Sequence, residues 1–218
     1  YSKRKTYIRT NKITNTNTRM KQFIVAGIGT EIGKTVISAV LTAGLKAEYW
    51  KPVQSGDIAT GDAYWIRNWV PSATIHPSTY ALTQPLSPHS AAEIDGITIE
   101  LEAFKIPTDQ TLIVELAGGI MVPLNDHQTN LDLIKHFNLP VILVSKNYLG
   151  SINHTILSYE MLKQHGVQMA GIVFNGPENP SGEKFILNHT GLPLILRVHT
   201  EEELNEAVIA SYADKIHV

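Results

Sequence analysis

Apolar positions in this chain come in short runs, separated by longer stretches in which they recur at helical spacing. The runs are QFIVAG (22–27), EYWKPV (48–53), TLIVELA (111–117), PVILVSK (140–146), MAGIVFN (169–175) and LPLILRV (192–198). Rich in Val and Ile and poor in charge, they predict strands buried on both faces. The segments between them, 34–46, 62–69, 129–138, 151–165, 181–190 and 201–212, predict helices. Such alternation implies an α/β fold: a parallel sheet of about six or seven strands with helices on both faces. Right-handed crossovers then gather the loops that follow the strands at one edge, where ligands bind. Residues 70–110 break the rhythm with Pro71, Pro77, Pro85, Pro88 and Pro107, and a loop-rich excursion is expected there.

Composition narrows the reading. At 218 residues, 43% of them hydrophobic, the chain can bury one sizeable core, and a single domain is expected over 20–218. The formal net charge of −2 is unevenly spread: residues 1–19 hold six Lys/Arg and no acid, leaving 12 basic against 20 acidic residues from Met20 onward. An acidic body argues against nucleic acid as the main partner. The basic Thr/Asn-rich tail lacks hydrophobic periodicity and is expected to be a disordered extension, or a stretch upstream of a start at Met20. Its acid-free composition also fits a transit peptide. No apolar run reaches the ~18 residues of a membrane-spanning helix. With no cysteine there can be no disulfide, thiolate nucleophile or thiolate metal site, and a cytoplasmic protein is the expectation.

Candidate chemistry starts at AGIGTEIGKT (26–35). The usual phosphate-binding loop, G-x-x-x-x-G-K-[ST], would put its first glycine at 28, where this chain has Ile28; its glycines are Gly27 and Gly29. The context is nevertheless that of a P-loop, a Gly-rich turn between a strand and a helix. There, backbone N–H groups and the helix N-terminus cradle phosphates. On this reading Lys34 reaches the β and γ phosphates and Thr35 ligates Mg²⁺. Glu115 closes an apolar run, where a charge is costly unless paired or metal-bound. KPVQSG (51–56) places Lys51 at a strand end, hence at the ligand edge. The nine histidines show no shared metal spacing, and Trp65 with Trp69, four apart, suits core or interface.

The loop, KPVQSG, GDAYWI, SPH (87–89), VELAGG (114–119), LGSINH (149–154) and FNG (174–176), in that order, resemble dethiobiotin synthetase, an enzyme family of biotin synthesis. That family's loop reads G-T-x-T-E-[VI]-G-K-T, with one residue more than the usual spacing. The likeness runs from about residue 21 to 198 and implies a fold of P-loop NTPase type. It also implies an activity: 7,8-diaminononanoate, CO₂ and MgATP become dethiobiotin, ADP and phosphate through a carbamate and a carbamic–phosphoric anhydride. Lys51, Lys34 and Thr30 are then the catalytic candidates. ATP would be held by Gly29, Thr30, Glu31, Ile32, Gly33, Lys34, Thr35, Val36, Asp62, Glu115, Leu116, Ala117, Gly118 and Asn175. Thr35, Asp62 and Glu115 would hold Mg²⁺. Ser55, Lys51, Gly150, Ser151 and Asn153 would bind substrate, the last three from the partner subunit of a homodimer. One departure is Leu116, where the family has Gly.

Some of these residues have second readings. Asp62 can cap the 62–69 helix, Ser151 can cap the 151–165 helix, and Asn175 can serve a turn before Gly176. Ser151, Ile152 and Asn153 are expected to offer free N–H groups to the substrate carboxylate. The alternative function is a nucleotide-switch ATPase of the partitioning or division-site type, whose loops usually carry a second lysine where Ile28 stands.

Overall fold

The computed structural model describes residues 21–218; the expectation for the 1–19 tail lies outside them. Its main sheet has seven strands, all parallel, in the order β4-β2-β6-β1-β7-β8-β9. These are β1 (Gln22–Gly27), β2 (Glu48–Trp50), β4 (Ile75–His76), β6 (Leu112–Gly119), β7 (Val141–Lys146), β8 (Met169–Asn175) and β9 (Leu194–Val198). Helices α1 (Lys34–Leu45), α2 (Asp62–Trp69) and α7 (Glu206–Ala213) cover one face. There Ile37, Leu41, Ile66 and Ile209 pack on Val25, Ile113 and Val144. On the other face lie α3 (Pro88–Ile94), α4 (Asn130–Phe137), α5 (Ser151–Gln164) and α6 (Pro180–Thr190). Ala91, Leu131, Ile134 and Leu162 pack there on Ile24, Val114 and Leu143, and Ile186 on Ile172 and Phe174. This is the doubly covered parallel sheet that the apolar runs imply. The central strands are buried on both faces, which is why they read as continuous apolar runs.

The structure corrects the expected elements in three places. The run 48–53 is not one strand: β2 ends at Trp50, and β3 (Val53–Ser55) leaves the main sheet to pair with β5 (Tyr80–Leu82). Pro52 has no N–H for a ladder and holds Lys51 in extended backbone, so pairing stops there. Its carbonyl instead accepts from the Tyr80 N–H at 3.1 Å. The helix expected from 201 begins at Glu206, because Asn205 caps it by accepting from the Val208 N–H at 3.1 Å. The stretch 70–110 holds β4, β5, α3 and a 3₁₀ turn at Leu101–Ala103. Pro88, counted as a breaker, sits in the first turn of α3, where its missing N–H costs nothing. No helix among the described residues is long and apolar enough to cross a membrane.

Candidate active site

The sheet gathers the sequence-predicted residues at the C-terminal ends of its strands. The 26–35 loop leaves β1 and turns into α1. Ile28 N–H still donates to Val144 O at 3.1 Å, so β1 keeps its ladder to β7 up to the turn. Glu31 (φ 57°) and Gly33 (φ 89°) then curl the chain. Gly33 is required twice over: its backbone is left-handed, and a Cβ there would collide with the Asn175 amide. Asn175 in turn donates from Nδ2 to Ile32 O at 2.8 Å, so the end of β8 braces the loop. Lys146, at the end of β7, adds a bond to Glu31 O at 3.3 Å. Lys34 folds back to donate to Gly29 O at 2.9 Å.

Beneath the loop lies a cluster of two carboxylates, a hydroxyl and an ammonium. The hydroxyl of Thr35, second residue of α1, lies between Asp62, first residue of α2, with which it hydrogen-bonds, and Glu115 Oε1 at 3.0 Å, so its single proton serves one of the two carboxylates at a time. Lys51, where β2 breaks off, pairs with Asp62 and lies 3.7 Å from Glu115 Oε1. Glu115 alternates with Leu116 along β6, so it shares the α1 face with Ile113, while Leu116 enters the apolar cluster beneath α3 and α4. The leucine at the family's glycine position therefore fills core, and only its backbone borders the site. Gly118 (φ 70°) follows, and a Cβ there would press on Val122 at 2.8 Å and approach Thr30 Oγ1 at 3.5 Å. Ala117 O accepts from Asn130 Nδ2 at 2.6 Å, which ties this bend to α4. Val36 is half-buried in the first turn of α1.

Burial sets the electrostatics. Glu115 is 1% exposed, and burial pushes its carboxyl up despite the nearby Lys51. Burial acts the same way on Asp62, but the Lys51 ammonium and the hydrogen bonds from Lys51 and Thr35 outweigh it and hold its carboxyl below the ordinary value. Burial draws the Lys34 amine down to about 8, against the pull of Glu115. Tyr49 escaped the sequence reading. Its hydroxyl donates to Glu115 Oε2 at 3.0 Å from the same face of the sheet, and burial beside Glu115 keeps the phenol protonated. Alternation put Tyr49 opposite Trp50, but nothing local named its partner.

Other candidates stand apart. The Ser55 hydroxyl is buried with no hydrogen-bond partner among the described residues. At the start of α5 the cap is Gly150, not Ser151, and at α2 it is Gly61, not Asp62. The Ser151 N–H, expected to be free, donates to Tyr148 O at 3.0 Å, and its hydroxyl accepts from the Tyr148 N–H at 3.2 Å. A tight turn satisfies this donor within the chain, which leaves Ile152 and Asn153 as the open amides of that helix start. Among the described residues no hydrogen bond or ion pair joins Gly150, Ser151 or Asn153 to the carboxylate cluster. A cleft of about 520 Å³ between α3 and the 124–128 turn is lined by none of the cluster residues.

A seven-stranded parallel sheet with this loop after its central strand defines a P-loop nucleotide-binding protein of the α/β class. Solved structures with the same fold include the cell division ATPase MinD of Pyrococcus furiosus (TM-score 0.58, 12% identity, covering 90% of this chain and 98% of that one). Another is a ParA family ATPase from Chlorobium tepidum (TM-score 0.53, 14% identity, covering 90% and 91%). Residues 21–208 match the family model described as AAA domain. ATP-dependent dethiobiotin synthetase BioD of Cytophaga hutchinsonii is 47% identical over 90% of this chain and 97% of its own length. Its counterpart in Christiangramia forsetii is 44% identical over 89% and 95%. The chain belongs to the ATP-dependent dethiobiotin synthetase family.

Proposed function

We propose that this protein is a magnesium-dependent dethiobiotin synthetase. It closes the ureido ring of dethiobiotin from 7,8-diaminononanoate and CO₂ at the expense of ATP. The observation that carries the reading is the meeting of Thr35, Asp62 and Glu115 with two buried lysines under a Gly-rich loop, in a chain of that family. The donor set fits the metal: two carboxylates and a hydroxyl offer only oxygen, as a hard divalent ion requires. An ammonium already sits against both carboxylates, so the site is built around positive charge. Thr35, Asp62 and Glu115 would hold the ion, which would supply charge neutralisation to the bound triphosphate.

Three steps make up the reaction. One substrate amine adds to CO₂ and loses a proton, giving a carbamate. A carbamate oxygen attacks the γ-phosphorus, the bond to the β–γ bridging oxygen breaks, and ADP leaves. The second amine attacks the carbamoyl carbon, phosphate departs, and the ring closes with loss of a proton. No nucleophilic side chain is needed, since phosphoryl transfer rests on positioning and electrostatics. Lys51, released from Asp62, holds the carbamate against the γ-phosphoryl group and offsets charge as it develops. Lys34 engages the β and γ oxygens, with Thr30 at the mouth of the loop. The unpartnered Ser55 hydroxyl meets the substrate amine or carbamate. Asn175 has its amide nitrogen on the loop, and its carbonyl oxygen serves the adenine amino group. Gly150 to Asn153 of a partner subunit receive the substrate carboxylate. The acidic balance of residues 20–218 suits a cytoplasmic small-molecule enzyme rather than a nucleic-acid binder.

The test is ADP release that requires diaminononanoate and bicarbonate together. Hydrolysis of ATP without them would instead support the switch-ATPase reading. A second expectation follows from Lys34, whose amine lies near pH 8 in the nucleotide-free protein. Phosphates favour the charged amine. Above pH 8 the neutral amine must therefore take up a proton when ATP binds, whereas below it the proton is already present. ATP affinity should weaken as pH rises through 8, by up to about tenfold per unit. Calorimetry at pH 8.5 in buffers of different ionisation enthalpy should register the uptake; identical heats in all buffers would count against it.

A further inference from the structure

The Glu115 carboxylate has two oxygens facing opposite ways. Oε1 faces the site, with Thr35 at 3.0 Å and Lys51 at 3.7 Å. Oε2 faces the core, where its partner is the Tyr49 hydroxyl at 3.0 Å. Tyr49 is fully buried and Glu115 is 1% exposed, so no solvent can replace that donor. The strand register makes the meeting unavoidable. Tyr49 pairs with Ile113, and Glu115 lies two residues further along β6 on the same face. Both are held between the sheet and α1, among Val25, Ile113 and Val40. Phenylalanine would fill this place as well as tyrosine; the hydroxyl is justified only by what it bonds. The buried Ser38 hydroxyl also lies beside Glu115, and without the Tyr49 donor the carboxylate could rotate toward it and carry Oε1 away from Thr35.

We infer that Tyr49 is a positioning residue for the reaction, its hydroxyl holding Glu115 so that Oε1 stays directed at Thr35 and the divalent cation. The inference rests on the proposed magnesium site and names the group that orients one of its ligands. Tyr49 touches neither substrate nor phosphate and acts through Glu115 alone. Ligand-orienting hydrogen bonds of this kind typically account for about 10–100-fold in metal affinity.

The experiment measures Mn²⁺ binding by electron paramagnetic resonance, with ADP present and no turnover. Tyr49→Phe should weaken Mn²⁺ at least about fivefold, while the melting curve remains cooperative. In a Glu115→Gln background the same substitution should change Mn²⁺ affinity by less than about twofold, because the group it positions is gone. A Tyr49→Phe protein within about twofold of the unsubstituted one, or an equal loss in both backgrounds, overturns the inference and assigns Tyr49 to packing alone. Lack of ADP-dependent Mn²⁺ binding in the unsubstituted protein overturns the site reading itself, and the inference with it. A second readout needs no substitution. With ring-labelled tyrosine, the Tyr49 resonances should shift when Mg²⁺ is added to the ADP complex, and unmoved resonances overturn the inference.

Discussion

Lys51→Ala should lower turnover by about a hundredfold to a thousandfold, the range found when one donor to a transition-state charge is removed. ATP affinity should stay within about tenfold, because the loop, Lys34 and the three oxygen ligands proposed for Mg²⁺ remain. The structure sharpens this expectation. Lys51 is 8% exposed and is paired with Asp62 and close to Glu115. Removing it leaves two buried carboxylates with less positive charge between them, and such groups are strongly destabilising when unpaired. The ligand-free variant should therefore melt at a lower temperature, and Mg²⁺ with ADP should restore more stability to it than to the unsubstituted protein, by mass action on a site now short of a cation. Steady-state ADP release, nucleotide calorimetry and melting curves measure the three quantities. A variant that keeps more than a tenth of its turnover removes Lys51 from the mechanism.

Subunit mixing should revive two inactive variants if the site is shared across a homodimer. One variant carries Lys34→Ala. The other carries Gly150→Asp with Asn153→Asp, which sets two carboxylates where the substrate carboxylate would dock. Neither homodimer should turn over. In a mixed dimer one site collects both defects and the other none. Random exchange should thus restore roughly a quarter of the unsubstituted activity, with half the dimers mixed and one intact site in each. Surface chemistry near the helix start supports the arrangement: Leu149 is fully exposed, with Tyr148 and Leu157 also open, an apolar group that a partner would cover. No recovery after verified exchange would assign each chain a complete site of its own.

Much of this protein is legible in short stretches. The six apolar runs all contain strands, because burial on both sheet faces leaves a run of Val and Ile that needs no knowledge of neighbours. The P-loop is equally local: Gly33, Lys34 and Thr35 act from adjacent positions between a strand and a helix. Within it Glu31 takes a left-handed backbone (φ 57°). Signals weakened where a proline or a cap competes with periodicity, as at Pro52 and Asn205. The edge strand β4 has only two residues, too short for any period to emerge.

What the order of residues determines alone, then, is the layered α/β class, the loop and Lys51 just past a strand end; Glu115, read as closing its run, lies inside β6, which continues to Gly119. Partnership was decided only in three dimensions. Asp62 meets Thr35 across 27 positions and Glu115 meets it across 80. Tyr49 reaches Glu115 across 66, and Asn175 braces the loop across 143. These meetings depend on β2, β6 and β1 lying side by side although the chain visits β1 first, β2 second and β6 only sixth, and on a register that puts Tyr49 and Glu115 on one face. Strand order and register are chosen by the packing of the whole sheet against its helices, and no local spacing encodes that choice.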